Sequence, residues 1–133
     1  MASVSDKPML LIVDDEQNFT ESLQLAIEDE FTVFIAGSLE GARVALERIA
    51  PAAVLLDLRL PDGDGLELFN DLNKLAKLPV IVVMTAYASM ESIVKALSKG
   101  AVDYYTKPLN IGKLKLELKR NIESKAEQKK IAQ

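Results

Sequence analysis

The chain contains no cysteine and no histidine in its 133 residues. Without cysteine there is no disulfide and no thiolate metal site, which fits a reducing compartment. Without histidine there is no Ser-His-Asp triad, no imidazole base and no imidazole ligand. Any metal held must therefore be a hard, oxygen-bound ion. Nor can the chain act as its own phosphohistidine donor. No apolar run approaches the length of a membrane span. The segment Met1–Lys7 lacks the apolar stretch of a signal peptide, so a cytoplasmic protein with no membrane partner is expected. Neither G-x-x-x-x-G-K-[ST] nor G-x-G-x-x-G occurs, which argues against a nucleotide kinase or a dinucleotide enzyme.

What is present suits one folded domain. Hydrophobic residues make up 49% and charged residues 27%, ordinary proportions that supply a core without staples at this length. The net charge of −4 is unevenly spread: Lys113–Lys130 carries seven Lys/Arg against three Glu, a net +4, leaving −8 on the rest. An acidic body argues against direct nucleic-acid binding by this chain. The basic segment reads as the solvated face of one helix.

Apolar runs alternate with helical periodicities from end to end. The runs are Met9 to Val13, Phe31 to Ile35, Ala53 to Asp57, Val80 to Thr85 and Val102 to Thr106. Between them Phe19, Leu23, Ala26 and Ile27 recur at helical spacing, and Ser38 caps a helix with Leu39, Ala42, Leu46 and Ile49 on one face. The turn cluster Pro61-Asp62-Gly63-Asp64-Gly65 precedes a third helix with Leu66, Phe69, Leu72 and Ala76 inward. Ser89 caps a fourth with Ile93, Ala96 and Leu97, closed by Gly100, and Asn110 opens a last helix bearing Ile111, Leu114, Leu118 and Ile122. Five strands and five helices in strict alternation imply right-handed βαβ units. The fold class is α/β: a doubly wound five-stranded parallel sheet of order 2-1-3-4-5, a flavodoxin-like three-layer sandwich. Strands that read as continuous apolar runs are expected to be buried on both faces.

The polar residues fall at one end of these strands. Asp57 lies within the apolar run Ala53-Val54-Leu55-Leu56-Asp57-Leu58, where a carboxylate is costly unless compensated. The first run ends in Asp14-Asp15, the fourth in Thr85 and the fifth in Lys107-Pro108. In a doubly wound sheet, ligands bind beyond the carboxyl ends of the strands where the order reverses, between strands 1 and 3. That is where Asp14-Asp15 and Asp57 would meet, with Thr85 and Lys107 next along the sheet. An Asp57–Lys107 structural pair is the plainer reading, but it leaves two further carboxylates unexplained. Three close carboxylates repel unless a cation is present, and Mg²⁺ is the natural occupant. A metal and a lysine beside a carboxylate suit phosphoryl transfer to that carboxylate.

These residues bring a family into view. From about Met9 to Ile122 the chain resembles the receiver (CheY-like) domains of two-component response regulators. The resemblance is carried by Asp14-Asp15, by Asp57 with Pro61 and Gly65 downstream, by Thr85-Ala86 and by Lys107-Pro108. It implies that Asp57 is the phosphoacceptor, charged by a sensor histidine kinase or phosphotransfer protein. It implies that Asp15, Asp57 and the Arg59 backbone carbonyl bind Mg²⁺ with Asp14 assisting. Thr85 and Lys107 would contact the phosphoryl group, Thr85 and Tyr104 would form the switch, and the Lys107-Pro108 peptide would be cis. Arg59 and Tyr87 would influence how long the phosphoryl group lasts, a bulky Tyr87 favouring slow hydrolysis.

On this reading residues 8–122 form the receiver domain. Residues 123–133 extend the last helix, either as a linker to a missing output domain concerned with transcription or as the end of a complete single-domain regulator, and a homodimer could form through helix 4, strand 5 and helix 5. The chain would be a regulatory phosphoacceptor that assists its own phosphorylation and dephosphorylation, not an enzyme acting on other substrates. A non-phosphorylated pseudo-receiver is the alternative, disfavoured by the intact Asp14, Asp15, Asp57, Thr85 and Lys107. A Mg²⁺-dependent phosphatase is a third class. It would need an acid two residues after Asp57, where Arg59 stands, and a cap insertion that the chain lacks.

Overall fold

The computed structural model describes residues 7–132. Residues 1–6, where no secretory pattern was read, and Gln133 lie outside the described residues, as do the side chains of 128–132 within the expected helical extension. Five parallel strands form one sheet: β1 (Met9–Val13), β2 (Thr32–Ala36), β3 (Ala53–Leu56), β4 (Val80–Thr85) and β5 (Asp103–Thr106), in the order β2-β1-β3-β4-β5. Five helices alternate with them: α1 (Gln17–Ile27), α2 (Leu39–Arg48), α3 (Leu68–Leu72, entered through a 3₁₀ turn at Gly65–Glu67), α4 (Met90–Lys99) and α5 (Ile111–Ala132). A two-residue hairpin, Arg59–Leu60 against Gly63–Asp64, interrupts the path from β3 to α3.

Strand pleat divides the core into two layers. Leu11, Val13, Val54, Leu56, Ile81 and Val83 pack with Leu39, Ala42, Leu68, Phe69, Leu72 and Ala96 from α2, α3 and α4. Leu10, Ile12, Ala53, Leu55, Val82 and Met84 pack with Leu23, Ile27, Leu114 and Leu118 from α1 and α5. The helices thus cover both faces, as right-handed crossovers require.

The helix starts follow local chemistry. Ser38 accepts the Gly41 N–H, and Ser89 and Ser92 form a reciprocal capping box. Asn110 Oδ1 accepts the Lys113 N–H. Gly100 closes α4 at φ 124°, a left-handed value that only glycine adopts freely.

Four packing expectations need correction. Strand β2 is not buried on both faces: it is an edge, and Phe34 and Ile35 remain 36% and 40% exposed. Ala26 is exposed, because the buried stripe of α1 runs Thr20, Leu23, Ile27. Ala76 is exposed too: α3 stops at Leu72, the chain turns toward Pro79, and Leu75 takes the inward place. In α4 the buried position is Ala96, and Leu97 faces out at 44% exposure.

Candidate functional site

Four strand ends deliver the polar groups to one edge of the sheet. Asp14 follows β1 and its N–H donates to the Ala36 carbonyl, while the Asp57 N–H donates to the Val13 carbonyl. The ladder between β1 and β3 therefore continues just far enough to set the two acids side by side. Carboxylate oxygens of Asp14, Asp15 and Asp57 lie within 4.8 Å of one another. Asp14 and Asp57 are buried (2% and 6% exposed), whereas Asp15 is open to solvent.

Lys107 reaches this cluster from β5. Its Nζ donates to Asp14 Oδ2 and, at 3.1 Å, to Asp57 Oδ2, with Glu16 Oε1 at 3.7 Å. The ammonium also lies 4.2 Å from the centre of the Phe19 ring, a cation–π position. The Lys107-Pro108 peptide is cis. Burial works to lower the Lys107 pKa, but the hydrogen bonds to Asp14 and Asp57 outweigh it and hold the ammonium above its ordinary range. Burial raises the Asp14 carboxyl above the usual range, although Lys107 and the Glu16 N–H pull the other way.

Each remaining oxygen has a defined surrounding. Asp14 Oδ1 accepts the Glu16 N–H at 2.8 Å and Asp57 Oδ1 accepts the Arg59 N–H at 3.1 Å. Thr85 is buried, and its Oγ1 accepts the Tyr87 N–H at 3.1 Å. Its own hydroxyl proton remains available to donate. The Arg59 guanidinium lies 3.8 Å above the Tyr87 ring. Asp15, Asp57, Arg59, Pro61, Tyr87 and Lys107 line a cleft of about 370 Å³. A neighbouring cavity of about 480 Å³ runs beside Thr85, Tyr87 and Ser89.

Gly65 explains how the loop after Asp57 can lie so close. Its N–H donates to the Leu58 carbonyl at 2.8 Å, and a Cβ there would fall 2.2 Å from the Asp57 carbonyl oxygen. Only glycine permits that approach.

The sequence-predicted residues thus separate into two groups. Asp14, Asp15, Asp57 and Lys107 come together directly, with Arg59 beside them. Thr85 stands at the end of the adjacent strand. Tyr104 is half-buried and lies one strand further, paired in register with Val83. By pleat it faces the α2–α4 layer, the same side as Val83 and Thr85, whereas Tyr105 faces α1 and α5. Sequence reasoning missed Glu16 and the ring of Phe19 as neighbours of the site. Glu16 directly follows the acid pair, which was a usable signal. Phe19 looked like any core residue of α1.

The donor set fits a hard divalent cation: three carboxylates, two of them buried, with no nitrogen or sulfur ligand near. Asp14, Asp15 and Asp57 could supply its protein oxygens.

Residues 10–119 match the family model for the response regulator receiver domain. The KDP operon transcriptional regulatory protein KdpE of Escherichia coli (strain K12) is 40% identical over 111 residues, 83% of this chain and 49% of that protein. A response regulator receiver domain protein (CheY-like) from Methanospirillum hungatei JF-1 superposes with a TM-score of 0.87 at 29% identity, covering 92% of this chain and 99% of that one. A response regulator protein from Burkholderia pseudomallei, crystallised with a phosphorylated aspartic acid, calcium ion and citrate, superposes at 0.80 with 30% identity. It covers 92% of this chain and 73% of that one. The chain spans about half the length, or less, of the first curated relatives it matches.

Proposed function

The chain belongs to the response regulator receiver domain family, and we propose that Asp57 is its phosphoacceptor in a Mg²⁺-dependent signalling switch. The observation that carries this is the convergence of Asp57 with Asp14, Asp15 and Lys107 at the carboxyl ends of β1, β3 and β5. A lone structural pair would not need the exposed third acid, which lies close enough to share a cation.

In the proposed step a carboxylate oxygen of Asp57 attacks the phosphorus of a donor phosphoimidazole. The new P–O bond forms in line as the P–N bond to the donor imidazole breaks, and that imidazole leaves with a proton. Mg²⁺ held by Asp14, Asp15, Asp57 and the Arg59 carbonyl would neutralise phosphoryl oxygens. Lys107, already hydrogen-bonded to Asp57, would follow the new negative charge, and the Thr85 hydroxyl would donate to a phosphoryl oxygen. The phosphoryl group adds about −1.5 to −2 charges and strong acceptors. Thr85 has room to shift, because a cavity runs beside it. Tyr104, on the same face as Thr85, is positioned to respond. This is a population shift between two packings. The Arg59–Tyr87 stack at the cleft supports slow hydrolysis of the adduct by restricting water.

The donor would be a sensor histidine kinase or phosphotransfer protein. The chain covers only part of its relatives, transcriptional regulators among them. That supports a receiver at residues 8–122, with 123–133 leading to a C-terminal output domain in the cytoplasm. The exposed apolar residues Met90, Val94 and Leu97 of α4 and Val102 just before β5 support a contact there with that domain or with a second copy. No described helix is long and apolar enough to cross a membrane.

The test is phosphorylation by acetyl phosphate with Mg²⁺, followed by intact mass. One labile adduct is expected, absent in Asp57→Asn and absent when EDTA replaces Mg²⁺. No adduct with any phosphodonor or kinase would instead make the chain a pseudo-receiver, and turnover of unrelated phosphomonoesters would make it a phosphatase.

A further inference from the structure

The hairpin after Asp57 is fastened at its tip as well as its base. Its tip residue Asp62 is exposed and does not touch the acid cluster. Both of its carboxylate oxygens are nevertheless occupied: Oδ1 accepts the Leu39 N–H at 2.8 Å and Oδ2 the Glu40 N–H at 3.0 Å. These are the first two amides of α2, in a segment 23 residues away. A carboxylate on two helix N-terminal amides is favoured both by hydrogen bonding and by the helix dipole. Gly63 tightens the same seam. At φ 151° it passes so close to α2 that a Cβ would meet Leu39 Cδ1 at 2.8 Å.

We propose that Asp62 is a positioning residue for the acid pocket: by holding the hairpin tip on α2, it keeps Arg59, whose carbonyl the Mg²⁺ reading assigns to the metal, in the cleft wall that it shares with Asp15 and Asp57. The hairpin has only two residues per strand, Arg59 pairing Asp64 and Leu60 pairing Gly63. So short a ladder does not hold its own shape in water, and movement at the tip would pass directly to Arg59. A plain helix-capping role explains less. Helix α2 already has its own cap in Ser38, which takes the Gly41 N–H. Asp62 adds a tie between two elements, one of which lines the cleft through Leu60 and Pro61.

The proposal rests on the Mg²⁺ reading of the site, and the experiment separates the two. Calorimetric titration with Mg²⁺ alone compares the full chain with Asp62→Ala, Asp62→Asn and Ser38→Ala. Asp62→Ala is expected to weaken Mg²⁺ by about tenfold, the lower end of the effect of removing an outer-shell support. Asp62→Asn, which keeps one acceptor oxygen, should fall between it and the wild type. Ser38→Ala loosens α2 without freeing the hairpin and should leave Mg²⁺ affinity unchanged. Equal affinity for Asp62→Ala and wild type would overturn the proposal. So would equal weakening by Ser38→Ala, which would reduce Asp62 to a structural cap. If Asp62→Ala does not fold, Asp62→Asn against Ser38→Ala decides. Absence of Mg²⁺ binding by the wild type would remove the site reading and the positioning role together.

Discussion

The two walls of the acid pocket are built differently. On the β3 side, the loop that carries Arg59 is fastened at four points. Gly65 lies against the Asp57 backbone, Asp62 sits on α2, and Asp64 and Glu67 form a capping box. The Arg59 N–H is taken by Asp57. On the β4 side, residues 86–90 are all exposed. That loop is held by the Tyr87 N–H on Thr85, by the Ser89–Ser92 box at the start of α4, and across the cleft by the Arg59 guanidinium over the exposed Tyr87 ring. On the proposed function, one wall would keep a nucleophile and its cation in register, and geometry there is worth many contacts. The other would change when a charge is added, and a moving element is drawn from the lightly held part of a fold. The contrast would give the proposed switch a direction, from a fixed input toward α4 and β5.

Substitution at Gly65 tests the fixed wall most severely. A Cβ there would collide with the Asp57 carbonyl at 2.2 Å and the Leu58 Cα at 2.8 Å, both backbone atoms. Gly65→Ala should destabilise the domain by about 3 kcal/mol, the upper range for overpacking. Ala88→Gly in the exposed loop should cost no more than about 1 kcal/mol. Urea denaturation measures both. Equal losses would erase the distinction between the two walls.

A smaller effect concerns the charge that the fixed wall holds. Asp14 and Asp57 share Lys107, but Asp15 has no bond to it and adds a third negative charge. Without metal, Asp15→Asn should therefore raise stability, by roughly 1 kcal/mol at this exposed position. With Mg²⁺ the order should reverse, because the wild type gains binding free energy and the variant gains little. Thermal melting in EDTA and in Mg²⁺ reads both arms. A variant less stable than wild type in EDTA would mean that Asp15 is held by favourable contacts.

Much of this was legible in advance, for physical reasons. Strand order, both helix layers and the meeting of Asp14, Asp57 and Lys107 follow from strict alternation and from which run ends in which residue. The caps at Ser38, Ser89 and Asn110 were visible because capping is local. What escaped was set by contacts between distant segments. Asp62 reads as an ordinary turn acid beside Pro61 and Gly63, and nothing local says that its partner is α2. Edge position decides the exposure of Phe34 and Ile35, and a run of apolar letters does not show which strand lies outermost. Periodicity places Ala76 inward, but the five-residue α3 ends before it.

The smallest effect lies in β5, where two adjacent tyrosines sit on opposite faces. Tyr104 packs toward α4 and the movable wall, Tyr105 toward α5. The Tyr105 hydroxyl is buried without a hydrogen-bond partner among the described residues. Burial, and then the negative charge of Asp103, push it up to about 12. Tyr105→Phe keeps the ring packing, so stability at neutral pH should change by less than about 1 kcal/mol. The pH dependence carries the sharper signature. From about pH 10 the unfolded tyrosine releases its proton, while the folded one keeps it until about 12. Over that window the folded state binds more protons, so stability falls as pH rises. The contribution is complete below the unfolded value and lost as pH passes the folded one. Tyr105→Phe should flatten that alkaline loss relative to wild type, as read from urea midpoints at stepped pH. Parallel curves for the two proteins would mean that Tyr105 titrates as freely in the folded chain as in the unfolded one. The α5 side of β5 would then be as open as the wall beside Thr85.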